Sequence, residues 1–293
     1  MKRGLIIWDK SEIPPDVFER RLNQVRRVLS QRDLPALLVY SELWRSNQAR
    51  FFSNYMPYFN RALLIISRDM PMTLLCALSP RVHGWIRSVT PIEDVRPAGN
   101  FAKPLFELAT ARNWARIGAL DFEQFPYDMH KSLLSGSVAF VNIESSAVFS
   151  PADDETELAM RRTARDMANR ILEEEIPNAV GLVDHHFVGR LERRFRRAGA
   201  EDLIVLVTNG NTVPAPASGA TLEESFSVSI ALEYRGHWVR VSRAHGALTA
   251  PTAVFEEQLD GSYPYESGSG RIVARHNEYD RNGKRLFYGD TIL

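Results

Sequence analysis

The chain has 293 residues, 44% of them hydrophobic, enough to bury the core of one large or two ordinary domains. Lysine plus arginine and aspartate plus glutamate number 36 each, so no net field recruits nucleic acid or an anionic membrane. Cys76 is the only cysteine and lies in the apolar run at 73–78, which excludes an internal disulfide and any multi-cysteine metal site and marks a core residue.

The first ten residues start basic, but their apolar stretch is too short for a signal peptide and no small-residue cleavage site follows. No later run approaches the ~20 apolar residues of a membrane span. The expectation is a soluble, cytoplasmic protein. Phe18, Leu22, Val25, Val28 and Leu29 recur at helical spacing behind the start signal Pro14-Pro15-Asp16, and the stripe ends near Asp33-Leu34-Pro35. Apolar runs at 36–40, 62–66, 72–76 and 116–120 read as strands buried on both faces, separated by more polar helical stretches. With 138–142 they compose an α/β layer domain over 1–150.

A linker with Pro151 opens a second domain, 151–293, of α+β character. Acidic residues 153–157 suit the positive end of a helix whose face carries Met160, Ala164, Met167, Ala168 and Ile171. A second amphipathic helix carries Val183, Phe187, Leu191 and Phe195 and stops at Ala198-Gly199. Residues 225–234 and 237–243 then alternate about the turn Arg235-Gly236, which predicts a β-hairpin.

Two helices ending in Arg197-Ala198-Gly199-Ala200-Glu201-Asp202, a strand, a Gly-Asn-rich loop and a hairpin resemble the first half of the catalytic domain of the creatinase/aminopeptidase P (pita-bread) superfamily. The preceding domain resembles the creatinase-type N-terminal domain, with Leu34-Pro35-Ala36-Leu37-Leu38-Val39-Tyr40 in place of a "GLDALLV" segment. The resemblance covers most of 16–245. It implies a dinuclear metallopeptidase centre with one aspartate on each strand of the hairpin, but Ser229 and Arg240 stand at those two positions. Serine is a poor ligand for a divalent hydrolytic metal, and a guanidinium has no free lone pair. The substrate-facing histidine of the family's "LPH" context aligns with Ala217. The later "HGxGH"-like segment and two glutamate ligands find no match, and the second domain reads as a shortened pita-bread domain. The expectation is no metal and no cofactor.

Elsewhere, His185-His186 point about 100° apart on a helix and cannot form an i, i+4 zinc pair. Arg190, Arg193, Arg194, Arg196 and Arg197 read as a solvated helix face. Asn282-Gly283 signals a hairpin near the C-terminus. Around it Glu266, Arg271, Arg275, His276 and Glu278 form a candidate acid/base set with His276 as base, against the plainer reading of charged outward faces. Residues 44–55 follow the first strand; in the family this region often lies beside the partner subunit's active site. Arg45, Asn47, Arg50 and Asn54 are candidates there for a small carboxylate or amide, against a helix packed by Phe51 and Phe52.

The functional expectation is a metal-independent, peptidase-inactive homologue that binds a small amide- or amino-acid-like ligand, or a protein partner, through Arg240, Ser229, Arg45, Asn47 and Arg50. The alternative is a metal-free C–N hydrolase with His237, Glu233 and His276 as catalytic groups. A homodimer is expected, covered through Phe255, Tyr263, Tyr265, Phe287 and Tyr288, with no nucleic-acid or membrane partner.

Overall fold

The structure is a computed structural model, and it describes residues 7–57, 59–148, 154–210, 212–248, 250–258 and 272–293. The described residues up to 148 form one compact unit and those from 154 onward another.

The first unit opens with helix α1 (Pro15–Gln31), whose proline at the first turn gives up only an N–H that a helix start leaves unpaired. Its sheet comprises β1 (Ala36–Ser41), β2 (Ala62–Ser67), β3 (Thr73–Cys76), β4 (Asp94–Pro97), β5 (Arg116–Leu120) and β6 (Ala139–Ile143), in the order β4-β3-β2-β1-β5-β6. The strands β1, β2 and β3 are buried at every position, as their continuous apolar runs require. Successive side chains alternate between two cores. Leu37, Val39 and Leu64 face α1, α2 (Asn47–Ser53) and α3 (His83–Val89). Leu38, Tyr40 and Leu63 face α4 (Ala102–Ala111) and α5 (Tyr127–Leu134). The sheet is mixed: β1, β2 and β3 form an antiparallel meander, while β4, β5 and β6 join in parallel. Cys76 is buried here, with its sulfur 3.3 Å from the Tyr55 hydroxyl.

A short helix, α6 (Ser145–Val148), ends the first unit. The second unit starts with α7 (Glu155–Glu175), capped by Asp154, whose carboxylate accepts the Glu157 amide at 3.0 Å. Next comes α8 (Asp184–Arg197), which ends at Ala198 and Gly199, the latter at φ +104. The six strands β7 (Asp202–Asn209), β8 (Phe226–Tyr234), β9 (His237–His245), β10 (Pro251–Gln258), β11 (Val273–Arg281) and β12 (Lys284–Ile292) pair antiparallel in the order β10-β11-β12-β9-β8-β7. Two tight turns set the register. Arg235 and Gly236 sit at φ +51 and +87, and Asn282 and Gly283 at +55 and +77, the positive pairs that a two-residue type I′ hairpin needs.

Phe226, Val228, Leu232, Val239 and Val241 project from one side of this sheet onto Met160, Ala164 and Ile171 of α7 and Phe187, Leu191 and Phe195 of α8. Each such burial contributes roughly 1.5–3 kcal/mol, so α7 and α8 are held by their apolar stripes. At Gly289 a Cβ would lie 2.1 Å from the Arg275 carbonyl, so glycine alone permits the approach of β11 there. Among the described residues no helix is long and apolar enough to cross a membrane.

Candidate functional site

Strand alternation that sends Val228, Ile230, Val239 and Val241 toward the helices sends Ser227, Ser229, Ala231, Arg240 and Ser242 the other way. The register places Ser229 opposite Ser242, their hydroxyls 2.7 Å apart, and Ala231 opposite Arg240. The neighbouring strand β12 is tied in by Thr291, whose hydroxyl accepts the Arg240 amide at 2.8 Å and donates to its carbonyl at 3.0 Å. Further out, His276 pairs with Gly289 and with Phe255, and Ala274 with Glu257.

This side, opposite α7 and α8, holds a cavity of about 510 Å³, lined by Ile204, Leu206, Val213, Pro214, Phe255 and Phe287 among apolar side chains. Ser229, Arg240, Ser242, Glu257, His276 and Arg285 supply most of its polar groups. Val213 and Pro214 come from the loop after β7, which Asp184 fastens to the start of α8. The Asp184 carboxylate accepts the Ser218 and Gly219 amides, each at 2.8 Å, and the Ser218 hydroxyl at 3.2 Å. Burial works against its charge, yet these donors hold its pKa below the usual aspartate value.

The charges of the cavity wall are matched inside the wall. Arg240 pairs with Glu257, Arg285 with Glu278, and Glu256 with Arg275 at 2.6 Å. Burial raises the Glu257 pKa although Arg240 opposes the shift. Burial, with the Arg240 charge beside it, lowers the His276 pKa to about 4, so the imidazole is neutral near pH 7. Its Nε2 is buried and has no hydrogen-bond partner among the described residues.

A dinuclear metal centre does not fit this wall. The two positions that the resemblance assigns to aspartates carry a hydroxyl bonded to Ser242 and a guanidinium bonded to Glu257. Among the described residues no three or more His, Cys, Asp or Glu side chains are grouped to hold a metal ion.

The expected site residues separate into three places. Arg240, Ser229 and His276 meet in the cavity. His237 shares the side of Val239 and Val241, and its Nδ1 lies 3.3 Å from Glu157, which pairs with Arg161 at 2.7 Å. Arg161 in turn donates to the Trp238 carbonyl, so His237 helps bolt α7 to β9 and cannot act with His276. Burial raises the Glu157 pKa, but His237 and Arg161 more than offset this and bring it to about 2. Glu233 is buried at the turn end of β8, opposite Trp238 and Asp202 and outside the cavity lining. In the first unit Arg45 donates to the Gln124 carbonyl at 2.8 Å and lies 3.7 Å from Asp121, while Asn54 donates to the Val89 carbonyl at 2.9 Å. Arg50 is buried in α2, and Asn47 begins that helix. These bonds of Arg45 and Asn54 hold segments of their own unit.

Tyr263, Tyr265, Glu266 and Arg271 lie outside the described residues. Phe255 and Phe287 line the cavity, with ring centroids 6.4 Å apart, and Phe255 and Tyr288 remain 49% and 37% exposed. Arg190, Arg194 and Arg196 pair with Glu175 or Asp202, as a solvated, charge-laced helix face does. The residues missed in the sequence are Glu257, Ser242 and Arg285. Ser242 was open to the alternation rule, being two residues from Arg240; Glu257 reaches Arg240 only because β10 closes the sheet.

No protein-family model matches the sequence, and no curated protein sequence matches it. Solved structures do. The X-Pro aminopeptidase of Thermotoga maritima superposes with a TM-score of 0.74 at 14% identity, covering 92% of this chain and 94% of that one. The Xaa-Pro dipeptidase of Bacillus anthracis gives 0.73 at 11%, covering 94% of each chain. The prolidase of Pyrococcus furiosus gives 0.69 at 12%, covering 93% and 95%. The chain therefore has the creatinase/pita-bread fold, and at these identities the likeness is one of fold.

Proposed function

We propose that this protein uses the pita-bread fold to bind a small amide- or amino-acid-like molecule without metal and without cleaving peptides. The observation that carries the reading is the Arg240–Glu257 ion pair, which occupies the cavity where the resemblance calls for a metal-ligating aspartate. A cation brought there meets a fixed guanidinium, and Ser229 offers only a hydroxyl. The cavity keeps a binding site's character: concave, mainly apolar and provided with a few convergent polar groups.

A metal-free hydrolase would draw on His237, Arg240, Glu233 and the C-terminal set around His276. His237 lies on the helix side and Glu233 outside the cavity lining, which disfavours those two as partners of His276. Binding is the reading retained. The test is hydrolysis of Ala-Pro and Gly-Pro peptides by the purified chain, with added manganese and with chelator. We expect no turnover in either condition; manganese-dependent release of the N-terminal residue would overturn the proposal.

A further inference from the structure

Resting on the reading of the cavity as a binding site, we propose that its ligand is uncharged and mainly apolar, with one amide-type polar head. A free amino acid or a carboxylate is then a poor occupant. The charge layout carries this. Among the described residues, Arg240, Arg285, Glu256 and Glu257 are the ionised side chains of the lining, and each is already paired within the same sheet. An ionic ligand must break one of these pairs, stranding the displaced partner, or enter without a counter-charge. Both are among the most unfavourable things to do in a partly buried site.

Besides Nε of the paired Arg240, the buried side-chain atom of the lining without a hydrogen bond among the described residues sits on a neutral group. His276 is uncharged near pH 7, and its buried Nε2 has no partner among the described residues. A neutral imidazole donates at one ring nitrogen and accepts at the other, so a single ligand N–H or carbonyl completes it. The Ser229 and Ser242 hydroxyls, 2.7 Å apart, offer a second neutral contact. Around these lie Ile204, Leu206, Val213, Pro214, Phe255 and Phe287, an apolar wall that a zwitterion leaves unused. The volume of about 510 Å³ is also that of a site for a medium-sized molecule, larger than a single amino acid fills.

Two dyes with one ring system separate the cases. N-phenyl-1-naphthylamine is uncharged with one N–H, and 8-anilino-1-naphthalenesulfonate adds a sulfonate to the same rings. In fluorescence titrations of the full chain near pH 7 we expect one uncharged dye per chain, with the sulfonated dye at least about tenfold weaker. Leu206→Trp and Ile204→Trp change half-buried lining positions and should each cost the uncharged dye about tenfold or more while thermal unfolding stays cooperative. His276→Leu should weaken it about fivefold, the worth of one hydrogen bond; an unchanged affinity overturns His276 as the head-group partner. If the sulfonated dye binds tighter and both tryptophans block it, the cavity stands and the uncharged class is wrong. If neither dye binds the folded chain, or binding ignores both tryptophans, the binding-site reading itself is overturned.

Discussion

Replacing Arg240 with methionine keeps an unbranched stem and removes the charge, leaving Glu257 in the cavity wall without its cation. Breaking a fully buried pair in this way costs about 3–5 kcal/mol. Here the two side chains are 18% and 31% exposed, so water screens part of the effect and we expect about 2 kcal/mol. Burial already raises the Glu257 pKa above its ordinary 4.5, and loss of Arg240 raises it further. A carboxyl with a raised folded pKa loses stability as pH rises through that window, so the Arg240→Met deficit should be larger at pH 8 than at pH 5. The double variant Arg240→Met/Glu257→Gln removes both charges and should lose about 1 kcal/mol or less, a coupling of about 1 kcal/mol or more. Urea unfolding read on the β8–β9 amides by hydrogen exchange measures these two variants and the single variant Glu257→Gln that completes the cycle. Strictly additive losses, or a deficit independent of pH, would refute the pairing on which the account is built.

Glu157→Gln should lose about 3 kcal/mol in the same assay, because it leaves Arg161 and His237 buried against a neutral amide. With its folded pKa near 2, Glu157 contributes stability that is complete above about 4.5 and is lost as pH falls toward 2, which acid titration of the wild type against the variant should show. Asp184→Ala frees the loop of Val213 and Pro214 by deleting three accepted hydrogen bonds. It should cost about 1–3 kcal/mol and raise hydrogen exchange at Ser218 and Gly219 well before the β8 amides; equal protection there would contradict the clamp.

The parts of the fold that depend on short-range pattern were legible. The runs of β1, β2, β3 and β5 are nearly continuously apolar because both faces of that sheet are covered, and Arg235-Gly236 and Asn282-Gly283 announced their hairpins through the positive φ that such turns need. The short strand β4 hid behind its charged residues, Asp94 and Arg96. The edge strand β10 has Pro251 at its start and adjacent glutamates, which suit an edge and blur alternation. In the site, placing Ser229 and Arg240 on one face followed from strand parity. Grouping His237 with Arg240 broke the same rule, since residues three apart on a strand face opposite sides. Glu257 could not be read, because its contact with Arg240 depends on the order β10-β11-β12-β9, which no local pattern encodes.

A guanidinium–carboxylate pair in the place of the metal centre should leave manganese without a ligand set. Titration calorimetry of chelator-treated protein with manganese, with metal content measured on the same sample, addresses it most directly. No saturable binding at micromolar manganese is expected, with less than one equivalent retained. Two equivalents bound at micromolar affinity, and lost in a variant at Ser229 or Glu257, would contradict it.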